Sequence, residues 1–177
     1  MEEKIKRKNP ITLKGYLSQF SKEQLIAQII ELNKKYKEVK SYYEFSLNPD
    51  AGAKKEKVKE MILECFYPKR GYKLRLKDAR KVIADFKKLS PDDESLADVM
   101  IYYVECGVRF TNDFGDIGEP FYNSIAGMFH DAGKLVQANG LATLFKERAK
   151  KIMNDTSGIG WGFHDELADI YYNYFLK

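Results

Sequence analysis

Residues 21–45 read SKEQLIAQIIELNKKYKEVKSYYEF, and this stretch decides the fold class. Ser21 and Gln24 have the spacing of a capping box. The serine hydroxyl accepts an amide N–H three residues on, and the glutamine side chain reaches back to the serine N–H. Beyond them Leu25, Ile29, Leu32, Tyr36, Val39 and Tyr43 recur at alternating steps of four and three. That spacing gathers the six on one helical face and leaves Lys34, Lys35 and Glu38 off it. It predicts one continuous helix running to Asn48-Pro49-Asp50-Ala51-Gly52, where turn-forming residues stop it.

The same period extends in both directions. Upstream, residues 11–20 predict a short helix with Leu13, Tyr16, Leu17 and Phe20 on one side. Downstream, helices are predicted over 53–66, 75–89, 91–110, 119–138, 141–154 and 163–176. Ser90-Pro91-Asp92-Asp93 reads as a start signal, with a hydroxyl cap, a first-turn proline and acids at the positive helix end. Asn139-Gly140 reads as a stop. No β-type alternation lasts more than about five residues. The expected fold is therefore all-α: a compact antiparallel bundle, or a short solenoid resembling helical repeats, of seven to eight helices.

The chain of 177 residues is 44% hydrophobic and 32% charged, which supplies one core and excludes global disorder. Residues 11–177 are read as a single helical domain behind a charged, flexible segment over 1–10. MEEKIKRKNP has no apolar stretch of the kind a secretory signal needs, and no run of the chain is long enough to cross a membrane. The expected compartment is the cytoplasm. The two cysteines, Cys65 and Cys106, lie in apolar helical patterns and read as buried thiols.

Charge is segregated along the chain although the net charge is only +4. Residues 54–88 hold 13 basic side chains against 5 acidic ones, whereas residues 91–139 hold 2 against 9. Lys69, Arg70, Lys73, Arg75, Lys77, Lys81 and Lys88 make a candidate basic face, with Tyr67 and Tyr72 as candidate aromatic contacts. Such a face attracts acidic protein surfaces, and a stripe of cations with interleaved aromatics is also suited to phosphate backbones and stacked bases.

Signs of catalysis are sparse. His130 and His164 lie outside H-E-x-x-H or E-x-x-H spacing, and no P-loop, G-x-G-x-x-G or G-x-S-x-G is present. The loop Asn112-Asp113-Phe114-Gly115-Asp116 lacks the oxygen spacing of a calcium loop. Trp161, between Gly160 and Gly162, reads as a core plug or lid. No catalytic, cofactor-binding or metal-binding residue is assigned. The function expected is a non-enzymatic module that offers its basic face to an acidic protein partner or to itself, with no membrane role. A sequence-tolerant nucleic-acid binder using the same face is the alternative, and a small helical enzyme comes third.

The stretch LKGYLSQFSKEQLIAQIIELNKKYKEVKSYYEFSLNP, followed in order by KDARKVIADFKKL, ADVMIYYVECGVRF and FYNSIAGMFHDAGKLVQANGL, resembles an uncharacterised all-helical bacterial family of unknown function. That family is found in Bacteroidetes-type genomes. The resemblance spans most of residues 12–155 and rests on helix patterns. It implies the fold and assigns no activity, cofactor or site.

Overall fold

The computed structural model describes residues 12–47, 51–71 and 73–176. The expected charged segment at 1–10, the Asn48–Asp50 stop and Tyr72 lie outside the described residues. All regular structure among the described residues is helical: α1 (Leu13–Leu17), α2 (Lys22–Lys35), α3 (Lys37–Leu47), α4 (Ala51–Phe66), α5 (Leu76–Lys87), α6 (Asp93–Phe114), α7 (Glu119–Ala138), α8 (Ala142–Asn154) and α9 (Phe163–Tyr174). The fold is all-α as expected, with nine helices among the described residues where the sequence reading gives seven to eight. The chain divides into two compact units, one ending at Glu44 and one beginning at Phe45.

The first unit holds α1, α2 and most of α3. Its capping box is formed: Ser21 Oγ accepts from the Gln24 amide at 3.3 Å, and Gln24 Oε1 accepts from the Ser21 amide at 2.8 Å. The single long helix predicted here is two helices. Tyr36 adopts an extended backbone (φ −119°, ψ 121°), yet its N–H still donates to the Leu32 carbonyl and its carbonyl accepts from the Lys40 amide. The break thus leaves that residue's backbone satisfied. No described residue of α1, α2 or α3 is buried.

The second unit carries the core. Here α6 packs against α4, α5, α7 and α8, while α9 packs on α7 and α8. One helix meeting four others is a bundle; in a solenoid each repeat touches only its sequence neighbours. Ile62, Phe66, Val99, Ile101, Tyr103, Val104, Ile125, Phe129 and Leu167 are fully enclosed. Two glycines set the closest approaches. A Cβ on Gly107 would lie 2.3 Å from Ile125 Cδ1, so α6 and α7 touch there because the side chain is absent. A Cβ on Gly133 would lie 2.9 Å from the Tyr174 ring, which does the same for α7 and α9.

The start of α6 differs from the sequence reading. Asp92, not Ser90, is the cap: its carboxylate accepts from the Ser95 amide at 2.7 Å and the Ser95 hydroxyl at 2.8 Å. Ser90 sits at φ 54°, turning the chain out of α5. At its other end α6 continues to Phe114, three residues into the predicted loop.

Candidate functional site

Two groups of basic residues in the second unit differ in their partners. The first is spent on the fold. Asp98 lies on the α6 face toward α4 and α8, only 7% exposed. Its Oδ2 accepts from Lys59 at 2.7 Å and Lys55 at 3.0 Å, and its Oδ1 from Arg148 at 2.6 Å. Arg148 also grips Glu105, two helical turns along α6, through Nε at 2.8 Å and Nη2 at 2.9 Å. The planar guanidinium fork suits this two-point contact. Burial alone pushes the Asp98 carboxyl up; the hydrogen bonds from Lys59, Arg148 and Lys55 more than reverse this and hold it at about 2. Sequence reading counted Asp98 and Glu105 as surplus acid. The seven-residue spacing of Asp98 and Glu105, and the four-residue spacing of Lys55 and Lys59, mark shared helix faces but not which faces meet.

The second group surrounds the turn between α4 and α5. Arg75 is its anchor: its backbone N–H donates to the Cys65 carbonyl at 3.0 Å, and its guanidinium to the Glu64 carbonyl at 3.0 Å. These bonds satisfy carbonyls at the end of α4 that the helix itself leaves open. Gly71 turns the chain with φ +80°, a conformation glycine adopts without a Cβ clash. The result is a hollow of about 430 Å³ lined by Glu64, Pro68, Lys69, Arg70, Gly71, Lys73 and Arg75. Lys69, Arg70 and Lys73 are exposed, as is Lys77 in the first turn of α5. No ion pair neutralises these four among the described residues. The start of α5 has no side-chain cap, so its positive end adds to the same field.

The remaining predicted face residues are placed differently. Lys81 and Lys88 both bind Asp85 on α5, at 3.0 Å and 2.8 Å, and belong to a solvated helix surface. Arg80, which is not one of the predicted face residues, reaches across to the Ser124 carbonyl of α7 at 2.9 Å. Tyr67 is engaged: its hydroxyl donates to Asp113 at 2.6 Å, and the Arg109 guanidinium lies 4.9 Å from its ring centroid. Burial and then the Asp113 hydrogen bond push its phenol well above the ordinary value.

The other chemistry-bearing residues are tied into the fold. Cys65 and Cys106 are free and buried, and burial pushes the Cys106 thiol up to about 11. His130 shares a hydrogen bond with the Tyr174 hydroxyl at 3.0 Å, and does not meet Glu105 or Asp98, which Arg148 holds. His164 Nδ1 lies 3.0 Å from the Thr156 hydroxyl, which donates to the Met153 carbonyl. A second hollow, about 310 Å³ between α6 and α8, is lined by Tyr102, Cys106, Arg109, Asn112, Arg148 and Lys151 among others. Arg148 there is bound to Glu105, and Lys151 to Asp155. Trp161 is not a core plug: it is 65% exposed, and its indole N–H donates to Asp116 at 2.8 Å.

The fold and its surface thus define an all-helical protein with a hollow at the α4–α5 turn whose Lys69, Arg70 and Lys73 make no ion pair among the described residues. The chain belongs to a family of unknown function, DUF6155, whose model matches residues 8–175. No curated protein and no solved structure matches it. Among the described residues no helix is long and apolar enough to cross a membrane.

Proposed function

We propose that the protein is a non-enzymatic interaction module that captures an acidic partner at the α4–α5 turn. One observation carries the reading: Lys69, Arg70 and Lys73 line a hollow and Lys77 is exposed in the first turn of α5, none of them in an ion pair among the described residues, while Lys55, Lys59, Lys81, Lys88 and Arg148 of the same unit are paired. Exposed cations held on a turn fixed by Arg75 attract acidic groups at long range and lose little order on binding. Engagement of Tyr67 by Asp113 and Arg109 takes one stacking platform away from nucleic acid, which favours a carboxylate-rich protein segment. A bacterial cytoplasm completes the proposal. The family resemblance and two buried, unpaired thiols support it.

The test is fluorescence anisotropy of a labelled glutamate-rich peptide titrated with the full chain at about 50 mM salt, where surface charge is weakly screened. Binding is expected, and the K69E/R70E/K73E variant should weaken it at least about tenfold, or about 1.4 kcal/mol. Single-stranded RNA and duplex DNA run in parallel. If nucleic acid binds with a salt slope near −0.9 per phosphate while the peptide does not, the alternative reading replaces this one.

A further inference from the structure

The second unit exposes an acidic loop as well as a basic turn, and Tyr67 joins the two. Tyr67 directly precedes Pro68 and Lys69. Its hydroxyl bonds Asp113, and its ring lies 6.1 Å from that of Phe114. The loop from Gly115 to Gly118, flanked by Asp113 at the end of α6 and Glu119 at the start of α7, is acidic and exposed at Asp113, Asp116 and Glu119. Like the basic turn, it has no ion pair among the described residues. Adjacent patches of opposite sign have therefore not neutralised each other within the molecule.

Two further observations bear on what the loop does. It is held in shape: the Gly115 amide donates to the Thr111 carbonyl at 2.8 Å, and the Thr111 hydroxyl donates to the Gly115 carbonyl at 3.0 Å. Asp116 accepts from the Tyr122 hydroxyl at 3.1 Å and the Trp161 indole at 2.8 Å. A loop ordered in advance loses little freedom when it docks. Large aromatics face water beside it, Phe114 at the end of α6 63% exposed and Trp161, bound to Asp116 from the α8–α9 connection, 65% exposed. Aromatic side chains beside charged ones are the residue types enriched at protein contact surfaces.

We infer that the acidic partner of the basic turn is the acidic loop of a second copy of this chain. A two-fold axis makes each surface meet its own image, so residue i of one copy meets residue j of the other and the reverse holds too. A face with a cationic half, an aromatic middle and an anionic half is complementary to itself under that operation. Lys69, Arg70 and Lys73 of one protomer face Asp116 and Glu119 of its partner twice over, and Phe114 loses its exposure between them. This rests on the reading of the basic turn as an anion-capturing surface and specifies its occupant.

Sedimentation velocity on the full chain tests it, with the peptide titration run on the same samples. Dimers are expected at about 50 mM salt and monomers at about 500 mM, because the contacts are exposed charges. K69E/R70E and D116K/E119K are each expected to be monomeric at low salt. Their equimolar mixture should form a heterodimer, since one then carries two acidic patches and the other two basic ones. E119Q alone, which leaves the Trp161 bond intact, should weaken the dimer at about 50 mM salt while its thermal melt at about 500 mM salt, where the chain is monomeric, stays within a few degrees of the native chain. A monomer at every salt concentration with peptide binding retained overturns the self-association and leaves the proposed function standing. A dimer that survives K69E/R70E overturns the stated interface. Absence of both dimer and peptide binding overturns both readings.

Discussion

Two clusters of positive charge in this molecule sit within one unit and have opposite uses. Around Asp98, three cations from α4 and α8 converge on one enclosed carboxylate, and Arg148 extends the contact to Glu105. Around Gly71, cations of the same chemical types stand on a turn and make no ion pair among the described residues, although Glu64 lines the same hollow. The lesson is that a basic residue informs about function only after its partner is known. The first cluster joins α4 and α8 to α6. The second, under the proposal above, is the part of the surface left over for another molecule.

The largest effect separating the clusters should come from Asp98→Ala. Removing that carboxylate takes the ion-pair partner from Lys55 and one of two partners from Lys59 and Arg148, which keep Glu56 and Glu105, and breaking a buried pair costs about 3 kcal/mol. Chemical denaturation should show a lowered midpoint with the denaturant slope unchanged. Acid comes next. The folded-state carboxyl of Asp98 lies at about 2, against an ordinary 3.8. Its contribution is therefore fully present above pH 4 and is lost as pH falls through about 2, amounting to about 2 kcal/mol. Urea midpoints across that window should fall for the native chain and fall less for Asp98→Asn. A smaller effect belongs to Trp161→Phe, which removes the bond to Asp116 and should cost about 1 kcal/mol. Smallest of all, replacing Lys69, Arg70 and Lys73 by alanine should leave stability within about 0.5 kcal/mol, because those side chains make no ion pair to lose. A large loss there would mean that the turn is structural and the contrast false.

Local signals in the sequence translated well and long-range ones did not. The Ser21–Gln24 capping box lies within four residues and formed as read. The apolar period placed all six helices of the core to within a few residues. The division at Tyr36 was hidden because the apolar steps stay in phase across it, with no glycine or proline to mark it. Ser90 was taken for a cap because hydroxyl and carboxylate caps have the same signature, and Asp92 stands two residues on. At the candidate site, the turn with Lys69, Arg70 and Lys73 was legible as a charge cluster. The pairing that sets Lys81 and Lys88 apart was within reach, since Asp85 lies four and three residues from them. The pairing of Lys55 and Lys59 with Asp98, and of Asp98 with Arg148, needs the fold, because those partners are distant in sequence. Trp161 went astray for the same reason, its partner Asp116 lying on another loop.

The most direct measurement compares two variants of equal net charge. K69A/R70A removes two cations that have no ion pair, and K81A/K88A removes two held by Asp85. Both are titrated against the same glutamate-rich peptide at about 50 mM salt. The account predicts that K69A/R70A loses about tenfold or more in affinity while K81A/K88A stays within about twofold of the native chain. Equal losses in the two variants would contradict it, because binding would then follow total charge and not the cations that the fold leaves without a partner.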